Sequence, residues 1–330
     1  MTNPLQGTEL TAPAPAAPQP LELIVFGGGL NWPIWIAQEQ GYFARNNVSV
    51  NLTQTPNSVF MVQNLVAGKF DIAMGAIDNL VAYMEGQGEA PLPAQPDLVA
   101  VMGNQSGTLK VIALPEIKTY AELKGKTLSV DALTTGFAFV LRKMLELGGL
   151  KDGDYTLERV GGTPFRVQAL LERKHACSII NSPLELPLLA KGYTQLGSAV
   201  DAIGTYQGTV CFLRRQWAKQ NEERLVNLIR SWVAAVDWLY DPKNREEALA
   251  SFIKNMNADR ASAEAGYLLL LGEREGIQRR AKLDLDGVRK VLELRSRYGE
   301  PRKTLSDPSK YVDESYYRKA VLSPLPPAPR

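Results

Sequence analysis

The sequence has a single histidine, His175, and only two cysteines, Cys177 and Cys211, among its 330 residues. Zinc and related metal sites need three or four clustered nitrogen or sulfur ligands, which this inventory cannot supply. We therefore expect no metal and no other cofactor. Both cysteines lie in apolar β-rich stretches, where a thiol is typically a small buried side chain without an activating helix N-terminus.

Long hydrophobic runs and an excess of one charge are also missing. No stretch of about 18 apolar residues occurs, so no membrane-spanning helix is expected. Lys plus Arg number 37 and Asp plus Glu number 35, which gives a net charge of +2. A chain with this balance is not expected to take nucleic acid as its partner. Its length fits one large or two ordinary domains.

Proline is concentrated at the two ends of the chain. Five of the 21 prolines lie in residues 1–20, and four lie in the last ten residues, VLSPLPPAPR. Such segments bury too little apolar surface to offset the entropy of ordering, so residues 1–20 and 321–330 are predicted to be unfolded tails. Residues 1–20 have neither the basic nor the apolar region of a secretory signal, so the protein is either cytosolic or has lost a signal.

From residue 21 onward, short apolar runs alternate with amphipathic segments. The runs LELIVF, VSVNLT and DIAMG carry β-branched residues, and the segments between them repeat apolar residues at helical spacing. The alternation restarts at TLSVD, which is followed by a predicted helix over 136–147. After the strand GTVCFLR the sequence is almost purely helical. This order predicts two α/β units with parallel strands, and C-terminal helices that pack on the first unit.

Loops that follow the strands are the first candidates for a ligand site, because ligands of open parallel sheets bind beyond the carboxyl ends of the strands. After the first strand, GGGLNWP combines three glycines with the amide of Asn31 and the flat ring of Trp32. The loop is either a ligand loop or a plain tight turn. It is not a dinucleotide fingerprint, which would need glycine at position 32.

Polar residues also follow the other predicted strands, and each has two interpretations. Thr55, Asn57, Asp78 and Asn79 suit helix N-caps as well as ligand contacts. In the second unit, a helix that begins after Thr134 and Thr135 offers free N–H groups to a carboxylate or sulfonate. Further candidates for contacts in this unit are Gly136, Phe137, Arg166, Asn181 and Glu185.

No catalytic constellation is convincing. A serine triad would need His175, which stands beside a strand, and no Gly-x-Ser-x-Gly motif exists. We therefore expect no catalytic residue and no enzymatic activity. His175 is interpreted as a surface or strand-edge residue.

Three stretches carry a family resemblance: NWPIWIAQEQGYFARNNVSVNL, VQNLVAGKFDIAMGAIDN and IKTYAELKGKTLSVD. Together they resemble the nitrate/sulfonate/taurine-type substrate-binding proteins of ABC transporters, a group that also holds the thiamine pyrimidine precursor synthases. The resemblance covers most of residues 21–190. The chain lacks the cysteine-rich motif and active-site histidine of those synthases, and it has Asn31 and Trp32 where the related desulfinases have a cysteine.

The resemblance implies a type II periplasmic-binding-protein fold of class α/β, with two lobes joined by two crossing strands near 108–114 and 204–210. Lobe 1 is expected to comprise 21–108 and 208–320, and lobe 2 is expected to comprise 109–207. The family's cleft positions carry over to Asn31, Trp32, Thr55, Asn57, Asp78, Asn79, Thr134, Thr135, Gly136, Phe137, Arg166, Asn181 and Glu185.

The implied function is that of a monomeric, periplasmic receptor that closes on a small organic ligand and delivers it to a membrane permease and its ATPase. Trp32 and Phe137 favour a flat or apolar ligand body, and Thr134 and Thr135 favour an anionic end. Asp78 and Glu185 would tolerate an amine. The alternatives are a cytosolic enzyme on the same fold, of decarboxylase, desulfinase or thiamine-precursor type, and a soluble ligand sensor.

Overall fold

The computed structural model of the chain describes residues 20–322. Most of the two predicted tails lies outside this range, but the last helix continues to Leu322, past the expected boundary at 320. Within the described residues, no helix is both long and apolar enough to cross a membrane.

The first part of the chain forms alternating strands and helices, as the sequence predicts. Its elements are β1 (Leu21–Val25), α1 (Trp32–Glu39), α2 (Tyr42–Arg45), β2 (Val50–Gln54), α3 (Ser58–Val66), β3 (Ile72–Ala76), α4 (Ile77–Met84), β4 (Leu98–Gly103) and β5 (Gln105–Ser106). A short 3-10 helix, Gly29–Asn31, precedes α1.

The second part repeats the alternation. Its elements are β6 (Leu109–Ala113), β7 (Thr127–Val130), α5 (Gly136–Leu147), β8 (Thr156–Arg159), α6 (Thr163–Leu171), β9 (Cys177–Asn181), α7 (Leu186–Ala190), β10 (Thr194–Ser198) and α8 (Ala199–Ile203). Helix α5 has the predicted bounds. Strand β10 was not predicted, because its sequence TQLGS lacks the apolar residues that mark the other strands.

The third part is mainly helical. It contains β11 (Thr209–Arg214), α9 (Arg215–Gln220), α10 (Glu222–Tyr240), α11 (Arg245–Met256), α12 (Arg260–Leu270), β12 (Gly276–Ile277), α13 (Leu285–Tyr298) and α14 (Ser315–Leu322). Helix α10 packs on α1 and α14 in the first lobe, as expected, whereas α13 contacts α4 in the first lobe and α5 in the second.

Two five-stranded sheets form the cores of the lobes. The orders are β2-β1-β3-β11-β4 in lobe 1 and β10-β6-β9-β7-β8 in lobe 2. The sheets are mixed, whereas the sequence predicted parallel strands. Strand β11 runs antiparallel to β3 and β4 because it returns from lobe 2, and β6 runs antiparallel to β9 and β10.

The chain segments that cross between the lobes lie side by side. The N–H of Gly107 donates to the carbonyl of Tyr206 (2.8 Å), and the N–H of Gly208 donates to that of Gln105 (3.0 Å). A third segment joins them, because β12 pairs antiparallel with β5. Below, this cluster of β5, β12 and residues 205–208 is called the hinge.

Candidate ligand-binding site

A cavity lies between the two lobes, where the carboxyl ends of β1, β3, β7 and β9 face each other. The cavity has a volume of about 50 Å³, which suits a small molecule. Lobe 1 contributes Phe26, Gly27, Gly28, Gly29, Leu30, Asn31, Met74, Ala76, Asn79, Asn104 and Thr209. Lobe 2 contributes Asp131, Thr135, Phe137, Gly162, Thr163, Arg166, Asn181, Ser182 and Leu184.

The glycine loop after β1 forms one wall of the cavity. Gly28 has φ 135°, a conformation that side chains other than glycine rarely adopt. The amide of Asn31 donates to the carbonyl of Phe26 (2.8 Å), which closes the loop on itself. The three glycines of the loop line the cavity.

Two helix N-termini of lobe 2 open on the opposite wall. Thr135 precedes α5, but its hydroxyl donates to the carbonyl of Ala132 (3.1 Å), so its side chain does not cap the helix. Gly162 precedes α6 and has no side chain to cap it. The first-turn N–H groups of α5 are thus available to an anion, which the helix dipole also favours. In α6 only the N–H of Thr163 remains, because Pro164 has none and Phe165 donates to the Gly162 carbonyl (3.0 Å).

Arg166 is the buried cation of the cavity, with 1% of its surface exposed. Its guanidinium donates to the carbonyls of Gly161 (2.8 Å) and Ile179 (2.9 Å) and to the hydroxyl of Thr163 (3.0 Å). Nε has no partner in the described chain. Burial lowers the pKa of Arg166 to about 10, and the charge of Asp131 opposes that shift.

Asp131 is the buried acid of the cavity, with 6% of its surface exposed. Its Oδ1 has no hydrogen-bond partner in the described chain. Burial raises the pKa of its carboxyl, and the charge of Arg166 and hydrogen bonds from Ser58 offset part of the shift. The sequence analysis did not select Asp131, although it ends the run TLSVD and so satisfies the same strand-end rule as the selected residues.

Six of the predicted site residues are brought together around the cavity: Asn31, Asn79, Thr135, Phe137, Arg166 and Asn181. The other seven do not line it: Trp32, Thr55, Asn57, Asp78, Thr134, Gly136 and Glu185.

Trp32 lies in the core of lobe 1 and is 0% exposed. Its ring meets the edge of Phe252 at 4.8 Å between centroids and Tyr267 at 6.0 Å. The tryptophan therefore attaches the C-terminal helices to α1. The cavity takes its aromatic surface from Phe26 and Phe137 instead.

Thr55 and Asn57 stabilise the start of α3. The amide oxygen of Asn57 accepts from the N–H of Phe60 (2.8 Å), and the hydroxyl of Thr55 donates to the carbonyl of Asn57 (2.6 Å). This is the N-cap role that the sequence left open as an alternative.

Asp78 is bound by Arg295 of α13. The guanidinium donates from Nε to Oδ1 (2.6 Å) and from Nη2 to Oδ2 (2.7 Å), and both side chains are almost fully buried. The same Nη2 donates to the carbonyl of Thr134 in lobe 2 (2.5 Å). A Cβ on Gly136 would lie 2.5 Å from the Asp78 side chain, so the glycine permits this close contact between the lobes.

Glu185 is buried beside the cavity rather than in it. Its Oε1 accepts from the hydroxyl of Ser182 (2.6 Å), and burial raises the pKa of its carboxyl. Nearby, Lys110 forms an ion pair with Glu275, which links lobe 2 to the segment before β12.

Two groups that the sequence set aside as non-catalytic lie away from the cavity. His175 Nε2 lies 2.9 Å from the carboxylate of Glu158. Cys177 and Cys211 are buried in strands, and burial raises the pKa of both thiols. Among the described residues, no cluster of three His, Cys, Asp or Glu side chains could hold a metal ion.

Residues 17–253 match the model of a family described as NMT1-like. No curated protein matches the chain. The periplasmic nitrate-binding protein NrtA from Synechocystis PCC 6803 is 16% identical, with a TM-score of 0.76 over 92% of this chain and 88% of that chain. The alkanesulfonate-binding protein SsuA from Xanthomonas axonopodis pv. citri, bound to MOPS, is 15% identical, with a TM-score of 0.69 over 86% and 93%.

An enzyme has a similar structure as well. The desulfurization enzyme DSZB is 13% identical, with a TM-score of 0.61 over 92% of this chain and 99% of that chain. At these identities the similarities establish the fold alone. They confirm the expected type II periplasmic-binding-protein fold, with two mixed five-stranded sheets.

Proposed function

The chain belongs to the NMT1-like family, and from this premise we propose that it is the solute-binding receptor of an ABC importer. In this proposal the two lobes close on a small organic ligand, and the closed form delivers the ligand to a membrane permease and its ATPase. The receptor acts in the periplasm, as a monomer, and does not alter the ligand.

One observation carries the proposal: the cavity is lined from both lobes, and the chain crosses between the lobes at the hinge. A ligand that contacts both walls favours the closed arrangement of two lobes, because its binding free energy differs between open and closed states. Closure needs no chemical step.

The lining supports an organic anion as the ligand. The N-terminus of α5, the N–H of Thr163 and the Nε of Arg166 offer donors to a carboxylate or sulfonate. Apolar contact to the body of the ligand comes from Phe26, Phe137 and Leu184. The ligands named for two proteins of the same fold, nitrate and alkanesulfonate, are anions as well.

An enzyme on the same fold is the second candidate, and Asp131 is the observation that favours it. A buried carboxyl with a raised pKa in a cavity is a typical general base. Against this candidate, the residues that line the cavity include no cysteine, histidine or lysine to act as a nucleophile or second proton carrier.

A binding screen tests the two candidates. We expect organic carboxylates or sulfonates to raise the melting temperature, to shrink the radius of gyration in solution scattering, and to be recovered unchanged by mass spectrometry. Conversion of a hit by the purified protein would instead identify an enzyme. Hits that leave the radius of gyration unchanged would contradict closure.

The variant Asn181→Leu tests the location of the site. It removes a polar group of the cavity at nearly constant volume, so the affinity of a hit should fall by about tenfold. The matched control is Gln195→Leu on the exposed edge strand β10, which should leave affinity unchanged. Equal affinities in both variants would place the site elsewhere.

A further inference from the structure

The cavity contains more hydrogen-bond acceptors than the protein can satisfy. Oδ1 of Asp131, Oδ1 of Asn181 and Oδ1 of Asn104 each lack a partner in the described chain. The Asn104 amide lines the cavity, and its nitrogen donates to the hydroxyl of Thr209 (3.1 Å) while its oxygen has no donor. A buried acceptor without a donor is unfavourable, and only a donor can relieve it.

Two of these acceptors lie at the carboxyl edge of the same sheet. Strands β7 and β9 are parallel neighbours, with Ser129 opposite Ser178. Counting along both strands places Asp131 opposite Ile180, so Asn181 lies one residue further along its strand. Both side chains line the cavity.

The charges of the cavity are also incompletely matched. Arg166 commits three hydrogen bonds to protein acceptors other than Asp131, and its charge offsets that of Asp131 only in part. The raised pKa of Asp131 has the same origin, because a carboxylate out of water lacks sufficient positive charge around it. A cationic donor from a ligand would supply that charge.

The other two buried acids near the cleft, Asp78 and Glu185, lie outside the cavity. Asp78 is held by two donors of Arg295, whereas Glu185 accepts from Ser182 through Oε1 and leaves Oε2 without a partner in the described chain. The sequence analysis named those two acids as the groups that would accept an amine of the ligand. Because neither lines the cavity, Asp131 is the acid that can contact such an amine.

We infer that the ligand is an organic acid that also carries an amine or N–H donor, which Asp131 Oδ1 and Asn181 Oδ1 receive. This inference rests on the proposed function and narrows its ligand class. The acid group lies at the N-terminus of α5 and beside Arg166, and the donor group lies at the ends of β7 and β9.

Matched pairs of compounds test the inference, each pair exchanging an amine for a methyl group of similar size. The probes are taurine with 1-propanesulfonate, β-alanine with butyrate, and 4-aminobenzoate with 4-methylbenzoate, measured by titration calorimetry and thermal shift. In at least one pair the amine compound should bind about tenfold or more tightly than its methyl partner, because hydrogen bonds to a buried charge are strong.

The variant Asp131→Asn tests whether Asp131 is the residue that causes the preference for the amine compound. It should reduce the preference for the amine to less than about threefold without weakening the methyl compounds. The control Asp152→Asn, an exposed aspartate of lobe 2, should retain the native preference. If Asp131→Asn does not fold, as judged by circular dichroism, the three pairs measured on the native protein decide the question.

The outcomes separate this inference from the proposed function. If the methyl compounds bind as tightly as the amines, the receptor function stands and the inference is wrong. If Asp131→Asn keeps the preference for the amine, another group receives it, and the inference is also wrong. If none of the six compounds binds, both the anionic ligand class and the inference are overturned.

Discussion

Two buried aspartates lie where the lobes meet, and their surroundings differ. Asp78, in the first turn of α4, is held by both arms of Arg295, which also bonds the Thr134 carbonyl across the lobe boundary. Asp131, at the end of β7, leaves one carboxylate oxygen without a partner and faces the cavity. The protein neutralises the first acid with a bidentate ion pair, whereas Arg166 and Ser58 offset the buried charge of the second only in part.

The two aspartates mark two kinds of contact at the interface: Asp78 joins the lobes permanently, and Asp131 is left for a ligand. On the hinge side, the interface is closed by a buried bidentate ion pair and a glycine in tight contact. At the mouth of the cleft, the lobes meet through the bond from the Gly162 N–H to the Pro56 carbonyl (3.0 Å) and the Arg159–Glu89 ion pair, whose arginine is exposed. Exposed pairs of this kind contribute little.

The largest effect is expected at Asp78. The variant Asp78→Asn keeps the shape of the side chain but leaves Arg295 as a buried charge without its anion, so the free energy of unfolding should fall by about 3–5 kcal/mol. Urea titration at neutral pH measures it. Adding Arg295→Met to the variant should recover part of the loss, because it removes the uncompensated charge. A loss below about 1 kcal/mol would remove the contrast between the two aspartates.

A smaller effect is expected from an added methyl group at two glycines. In Gly136→Ala the new Cβ would lie 2.5 Å from Asp78 and from the Tyr206 hydroxyl, so the hinge side must shift, and stability should fall by about 1–3 kcal/mol. The counterpart Gly162→Ala meets Pro56 O at 3.3 Å at the mouth. It should cost less than about 1 kcal/mol and mainly weaken ligand affinity. Equal losses of stability would show that both sides of the interface are equally fixed.

The smallest change in stability is expected for a variant of Asp131, and it is a gain where the others are losses. Its raised pKa means that the folded state penalises the charged carboxyl, so native stability declines as pH rises from 3.8 through the folded-state pKa. Asp131→Asn removes this penalty and should raise the melting temperature at pH 7, by an amount that disappears below pH 3.8. Melting curves of both proteins from pH 3 to 8 measure the difference. A lower melting temperature at pH 7 would show that Arg166 depends on Asp131 as its counter-ion.

The fold was largely predictable because most of its strands and helices have a recognisable local sequence pattern. LELIVF and DIAMG became β1 and β3, and the amphipathic period over 136–147 became α5. The directions of the strands were harder to predict from the sequence. That β11 runs antiparallel depends on the chain returning from lobe 2, and such a path leaves no local pattern in GTVCFLR.

The position of the site could be predicted from the sequence, but the set of residues that line the cavity could not. The strand-end rule located Asn31, Asn79 and Thr135 at the cavity. It could not separate caps from ligand contacts, since Asn57 has the residue type that both roles require. Nor could it rank the acids, because Asp78 is neutralised by an arginine 217 residues away in the sequence.

That long separation bears on biosynthesis. A ribosome completes the first lobe's N-terminal strands and helices long before it reaches α13, so the nascent chain carries Asp78 for most of its synthesis without the cation that permits its burial. The two lobes can adopt their final contact only when residue 295 has left the exit tunnel. A fragment that stops short of α13 should therefore bind chaperones and be degraded rather than accumulate as a working half.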